Sequence, residues 1–159
     1  MLNRLKKRSE SWHAHRVKPT AIQRWNRLAP SRRAMLVESA AALCAASVAV
    51  KILPFSWAIR LGARPTGPTY SNRPTEVMSN VRWAIDAAAR RLPWNAVCIQ
   101  RGLATQWMLR RRGIDARLHY GLARDAESAL TAHVWVDASG KTVIGGEEAG
   151  DYVRVATFP

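Results

Sequence analysis

Cysteine is scarce in this sequence: Cys44 and Cys98 are the only two thiols in 159 residues. Two cysteines so far apart build no disulfide framework, so a reducing, cytoplasmic setting is expected. Acids are scarce as well, 11 against 25 Lys and Arg, for a formal charge of +14. The deficit is uneven, because residues 1–33 hold ten basic residues and one acid whereas residues 125–159 hold two and six. Such a basic arm suits an acidic peptide, a membrane surface or nucleic acid, or simply keeps the chain soluble. Long hydrophobic runs are missing too. The most apolar stretch, "SAAALCAASVAV", has 12 residues, lies between Glu38 and Lys51, and begins too late for a secretion signal. It is too short and too rich in alanine to be expected to span a bilayer, and reads as a helix packed on the domain or resting on a partner or membrane surface. The aromatics form no obvious stacking motif, so nucleic acid is not the expected partner. No metal or cofactor is expected.

What is present fits one compact domain with an appendage. Three regions are expected: a basic N-terminal arm over 1–30, a helical segment with a linker over 31–74, and a catalytic domain over 75–159. From Ser31, a plausible N-cap, to Leu61 the pattern is helical, and Pro54 divides it into two short helices. "GARPTGPTYSNRP", residues 62–74, has the glycine and proline content of a linker or wrapping loop. A helix over 75–91 carries Val77, Val81, Ala84, Ile85 and Ala88 on one face. The next, over 97–112, spreads Ile99, Leu103, Ala104, Trp107, Met108 and Leu109 round most of its circumference, which predicts a central, buried helix. Gly113 is its expected C′ residue, and "RRR" complements its dipole.

Beyond Gly113 the period becomes two. "ARLHYGLA", "AHVWVDA", "KTVIGG" and "YVRVATF" read as strands, the middle pair joined by a turn at Ser139-Gly140. Helices followed by antiparallel strands predict an α+β fold.

Cys98 opens the central helix, where unpaired backbone N–H groups and the positive end of the dipole favour negative charge. Its stripe, Cys98, Gly102, Thr105 and Leu109, has small residues that let a strand approach. Buried packing is the ordinary fate of a lone cysteine, so a reactive role needs a histidine. Alternation puts His133, Trp135 and Asp137 on one face of their strand and Ala132, Val134 and Val136 on the other, with His119 facing the same way as Arg117 and Gly121. Trp94, Trp107 and Trp135 are read as large core or hinge residues, and Trp135 could also shield the imidazole.

These segments resemble the cysteine-helix and histidine-strand signatures of the transglutaminase-like superfamily. Within it they are similar to the stand-alone leader peptidases of lasso peptide biosynthesis. The likeness rests on Cys98, Arg101, Gly102, Leu103 and Ala104, then Leu109, Arg111, Arg112 and Gly113, then Ala132, His133, Trp135 and Val136, with "ILPFSWAIRLG" upstream. It spans about Ser31 to Pro159. It implies a transglutaminase-like, papain-like core with the cysteine helix on an antiparallel sheet. It also implies a cysteine peptidase that cleaves the leader from a lasso precursor peptide, Cys98 being the nucleophile and His133 the base. Implied partners are that precursor, a separate leader-binding protein, for whose winged-helix-like domain no residues remain, and the lasso cyclase. Alternatives are transglutaminase-type acyl transfer and a non-catalytic peptide- or nucleic-acid-binding protein.

The sequence departs from the pattern at the third catalytic position, where an Asp is expected about a dozen residues after the histidine. Gly145 and Gly146 stand there. Asp137, four strand residues away, lies roughly 13 Å from His133 and is a poor substitute. Counting back from the turn sets Gly146 opposite His133, which makes Glu147 the nearest acid and the expected orienter, with a backbone carbonyl or water as alternatives. The Cys98 N–H is the default oxyanion donor, and Gln100, turned about 200° away, is disfavoured.

Overall fold

A computed structural model of the chain describes residues 21–61 and 73–159. Most of the expected arm and linker, residues 1–20 and 62–72, lies outside the described residues. Within the expected arm, Ala21–Asn26 forms a short helix, α1. Arg33 donates to the carbonyls of Leu28 (2.9 Å) and Asn26 (2.6 Å), satisfying acceptors that the end of α1 leaves open.

The helix α2, Pro30–Ile52, has 23 residues and is not one of two short helices. Pro30 sits in its first turn, where a fixed φ and a missing N–H cost nothing, so Ala29 is the N-cap and Ser31 is already helical. Pro54 has the expected effect: Leu53 is extended, and a second helix, α3 (Phe55–Leu61), follows. By length and composition α2 would suffice to cross a membrane, yet its Leu36, Leu43, Ala46 and Ala49 are buried. The amphipathic helix α4, Pro74–Ala89, buries Val81, Ala84, Ile85 and Ala88 as the spacing predicts, and ends two residues early.

The helix α5 runs Cys98–Arg110 and is central, with Leu103, Ala104 and Leu109 fully buried. Gly113 (φ 73°) reverses the chain in the left-handed region, and the Ile114 N–H reaches back to the Leu109 carbonyl at 3.1 Å. Arg112 donates to the Met108 carbonyl at 2.8 Å and to both Glu38 oxygens (3.0 and 2.5 Å), so the arginine run caps α5 and also ties it to α2.

Four strands, β1 (Ala116–Arg124), β2 (Leu130–Ala138), β3 (Lys141–Ile144) and β4 (Val153–Phe158), form an antiparallel sheet in the order β3-β2-β1-β4. The fold is the α+β class predicted. Ser139 (φ 50°) and Gly140 (φ 74°) are both left-handed, as a two-residue hairpin matching the strand twist requires. Ala138 pairs Lys141 and Asp137 pairs Thr142, but Val136 pairs Ile144. Val143 is therefore an extra residue in β3, and β3 ends before it can reach His133. The expected Gly146–His133 pairing fails for that reason.

One core joins all layers: Leu43 and Ala46 of α2, Val81 and Ile85 of α4, Leu103 and Met108 of α5, and Leu118 and Val136 of the sheet. Gly102 makes the close approach of α5 to the sheet possible, since a Cβ there would lie 2.6 Å from Val134 Cγ1.

Candidate active site

β3 pairs only Val136 to Ala138, and beyond it the irregular segment from Gly145 runs beside β2. A cavity of about 390 Å³ occupies this region, walled by the start of α5, the polar face of α4 and the segment after β3. Cys98 and His133, nominated separately from the sequence, line it together.

Cys98 is the first residue of α5, partly buried, with a free thiol. The Gln100 and Arg101 N–H groups bond the Val97 carbonyl, and the Gln100 side chain turns back to accept the Val97 N–H at 3.2 Å. Gln100 thus caps its own helix. Among first-turn groups, the Cys98 N–H has no helical carbonyl behind it to bond. Arg101 also lines the cavity, but its guanidinium is paired with Asp86 of α4. Its charge is shared and not simply added to the field at Cys98.

His133 is 8% exposed, and its ring lies between Trp135 (centroids 6.3 Å apart, planes 18° apart) and Tyr152 (5.1 Å). Both rings approach closely because residue 121 is glycine: a Cβ there would sit 2.8 Å from Trp135 and 2.9 Å from Tyr152. Trp135 and Trp107 are at least partly buried, whereas Trp94 is 38% exposed and does not belong to the core. His133 Nε2 lies 2.9 Å from the Gly145 carbonyl. A carbonyl only accepts, so Nε2–H donates and neutral His133 keeps its lone pair on Nδ1. Gly145 stands twelve residues after the histidine, so a backbone oxygen occupies the position where a carboxylate was expected. It has φ 76°, and a Cβ would lie 2.6 Å from the Val134 carbonyl, so only glycine brings this segment flush against β2.

Glu147 lines the same cavity as His133, but its carboxylate is not the one set against the imidazole. Its carboxylate is paired with Arg82 of α4, and its own backbone N–H, then Arg82 and Arg101, hold it below the usual carboxylate range. The acid facing the imidazole is Glu148, with Oε2 3.6 Å from Nδ1, a separation for an ion pair with imidazolium and not for a hydrogen bond. Its position in an irregular segment gave no periodic signal. Arg82, Asp86 and Arg90 also line the cavity and were missed, although their four-residue spacing marks the polar stripe of α4.

The other strand histidine is spent elsewhere. His119, 4% exposed, lies 3.1 Å from Asp137 through Nε2 and 2.9 Å from the Thr157 hydroxyl through Nδ1, and Thr142 donates to Asp137 at 2.7 Å. This side-chain chain crosses all four strands and accounts for Asp137. Among the described residues no His, Cys, Asp and Glu cluster could hold a metal ion.

Compared with known proteins, residues 40–157 match the family model described as transglutaminase-like superfamily. No curated protein and no solved structure matches.

Proposed function

The chain belongs to the transglutaminase-like superfamily, and from that premise we propose that it is a cytoplasmic cysteine peptidase that removes the leader from a lasso precursor peptide. The superfamily includes cysteine peptidases and acyltransferases. The observation that carries the reading is that a helix-opening cysteine shares one cavity with a histidine whose Nε2–H is already donated to a carbonyl, leaving Nδ1 as base.

In this mechanism Nδ1 takes the Cys98 proton as Sγ attacks the scissile carbonyl. The C–N bond then breaks, the imidazolium gives that proton to the departing amine, and a thioester remains. Water, deprotonated by Nδ1, attacks the thioester; the thiol recovers a proton and the carboxylic acid leaves. The Cys98 N–H is the oxyanion donor. Glu148 stabilises the imidazolium by charge, weakly, because its side chain is 68% exposed.

The choice of a lasso precursor rests on the ordered motif likeness across Cys98–Gly113 and Ala132–Val136. A separate leader-binding protein presents the substrate, and the freed N-terminus passes to a cyclase. Tethering the leader raises apparent affinity by about 10²- to 10⁴-fold. The test is mass spectrometry of purified precursor incubated with this chain, with and without a neighbouring leader-binding protein. Leader and core masses summing to the precursor plus one water support hydrolysis. A product joined to an added amine would instead make the chain an acyltransferase, and an intact precursor with the partner present would reject the reading.

A further inference from the structure

Among the described residues, one short segment supplies both polar side-chain contacts of the His133 ring. Gly145 supplies the carbonyl on Nε2 and Glu148 the carboxylate near Nδ1, while Tyr152, just beyond, lies against the ring. This segment is irregular, because the β3 ladder ends at Ile144 and regular structure resumes only with the 3-10 turn Ala149–Asp151. The Gly145 carbonyl thus lies past the last paired residue of β3 and is turned to the imidazole. Between the two contacting residues stands Glu147, and its partner Arg82 belongs to α4, a helix packed in the core through Val81 and Ile85.

We infer that Arg82 is a positioning residue: through Glu147 it holds the segment Gly145–Glu148 against His133, and so keeps the Gly145 carbonyl on Nε2 and the Nδ1 lone pair available to the cavity. The inference rests on the reading of Cys98 and His133 as the reacting pair. It also explains how the site works without a carboxylate twelve residues after the histidine. A side-chain carboxylate would orient the ring by its own bond; a backbone carbonyl does so only if the segment carrying it is anchored. The anchor is an ion pair with 46% and 66% of its side chains exposed, so it contributes little to overall stability. Its effect falls on the geometry of one loop. A bystander ion pair at the cavity mouth would leave the histidine tautomer untouched, which separates the two possibilities.

The experiment compares wild type, Arg82→Gln, Glu147→Gln and the exchanged pair Arg82→Glu with Glu147→Arg. Two readouts are taken: the His133 tautomer from ring ¹H–¹⁵N correlations at a pH where the ring is neutral, and precursor cleavage. Wild type is expected to show Nε2–H alone. Each single variant should show mixed tautomers with kcat down about tenfold and KM unchanged, in the range found for lost outer-shell partners. The exchanged pair should recover both, since it restores the attraction with the signs reversed. Single variants with the wild-type tautomer would overturn the inference, as would an exchanged pair no better than either. If wild type cleaves nothing, the peptidase reading fails, and the tautomer comparison still decides the role of Arg82.

Discussion

At the residue scale, the proposed nucleophile and base differ from the residues that merely resemble them by what already occupies their atoms. His119 is as buried as His133, but both its nitrogens are bonded, to Asp137 and Thr157. Cys44 is exposed on α2, whereas Cys98 shares the cavity with His133. Cys98→Ala and His133→Ala should each abolish precursor cleavage with thermal midpoints within a few degrees of wild type, since neither removes large core volume. Cleavage by either purified variant would sink the mechanism; Cys44→Ala should leave kinetics unchanged. That Cys98 and His133 would be candidates for one site was legible in the sequence, because each lies in a regular element whose period fixes its face, and the two line one cavity. The orienting group was not, because a bulge at Val143 broke the residue count and a backbone oxygen leaves no trace in side-chain chemistry.

At the element scale, α5 and the sheet show how small residues and one cross-strand chain of hydrogen bonds set the frame. Gly102→Ala forces a methyl to within 2.6 Å of Val134 Cγ1. It should destabilise the protein by about 1–3 kcal/mol as α5 and β2 are pushed apart, measured by denaturant unfolding. The sheet carries a pH dependence as well. Burial holds His119 below the ordinary histidine value; Asp137 opposes this, while Arg154 and Arg117 reinforce it. Folded His119 thus binds its proton less readily than the unfolded chain does. Stability should fall as pH drops from about 6.5 through the folded value, and stay flat with respect to this group above that window. Thermal midpoints from pH 7.5 to 5.5 should show a shallower decline for His119→Gln than for wild type, and equal slopes would remove His119 from the account. The strands, their order of appearance and the hairpin turn were all legible from alternation and Ser139-Gly140. Helix ends were less so: Pro30 sits in the first turn of α2 and displaces Ser31 as its cap, and α4 starts at Pro74, one residue before the expected bound.

At the scale of the whole molecule, the helical segment, divided in the sequence reading from a catalytic domain over 75–159, shares that domain's core. Leu43 and Ala46 of α2 are fully buried in one cluster with Leu103, Leu118 and Val136, and the matched family span begins at residue 40, inside α2. Leu43→Ala should therefore cost about 2–5 kcal/mol. A chain cut to 75–159 should lose cooperative unfolding, read by circular dichroism during heating. A folded, cooperative fragment would show that α2 is an accessory. Sequence periodicity identified α2 as a helix but not its partners, because its buried face is mostly alanine and serine and gives only a faint amphipathic signal.

The claim on which all three scales converge is that His133 makes Cys98 a nucleophile. It is tested most directly by iodoacetamide labelling at neutral pH, reading the two cysteines separately by peptide mass spectrometry in wild type and His133→Ala. The account predicts that Cys98 reacts about tenfold or more faster than the more exposed Cys44, and that this advantage disappears in His133→Ala while Cys44 is unaffected. Labelling of Cys98 no faster than Cys44, or equally fast without His133, would contradict it.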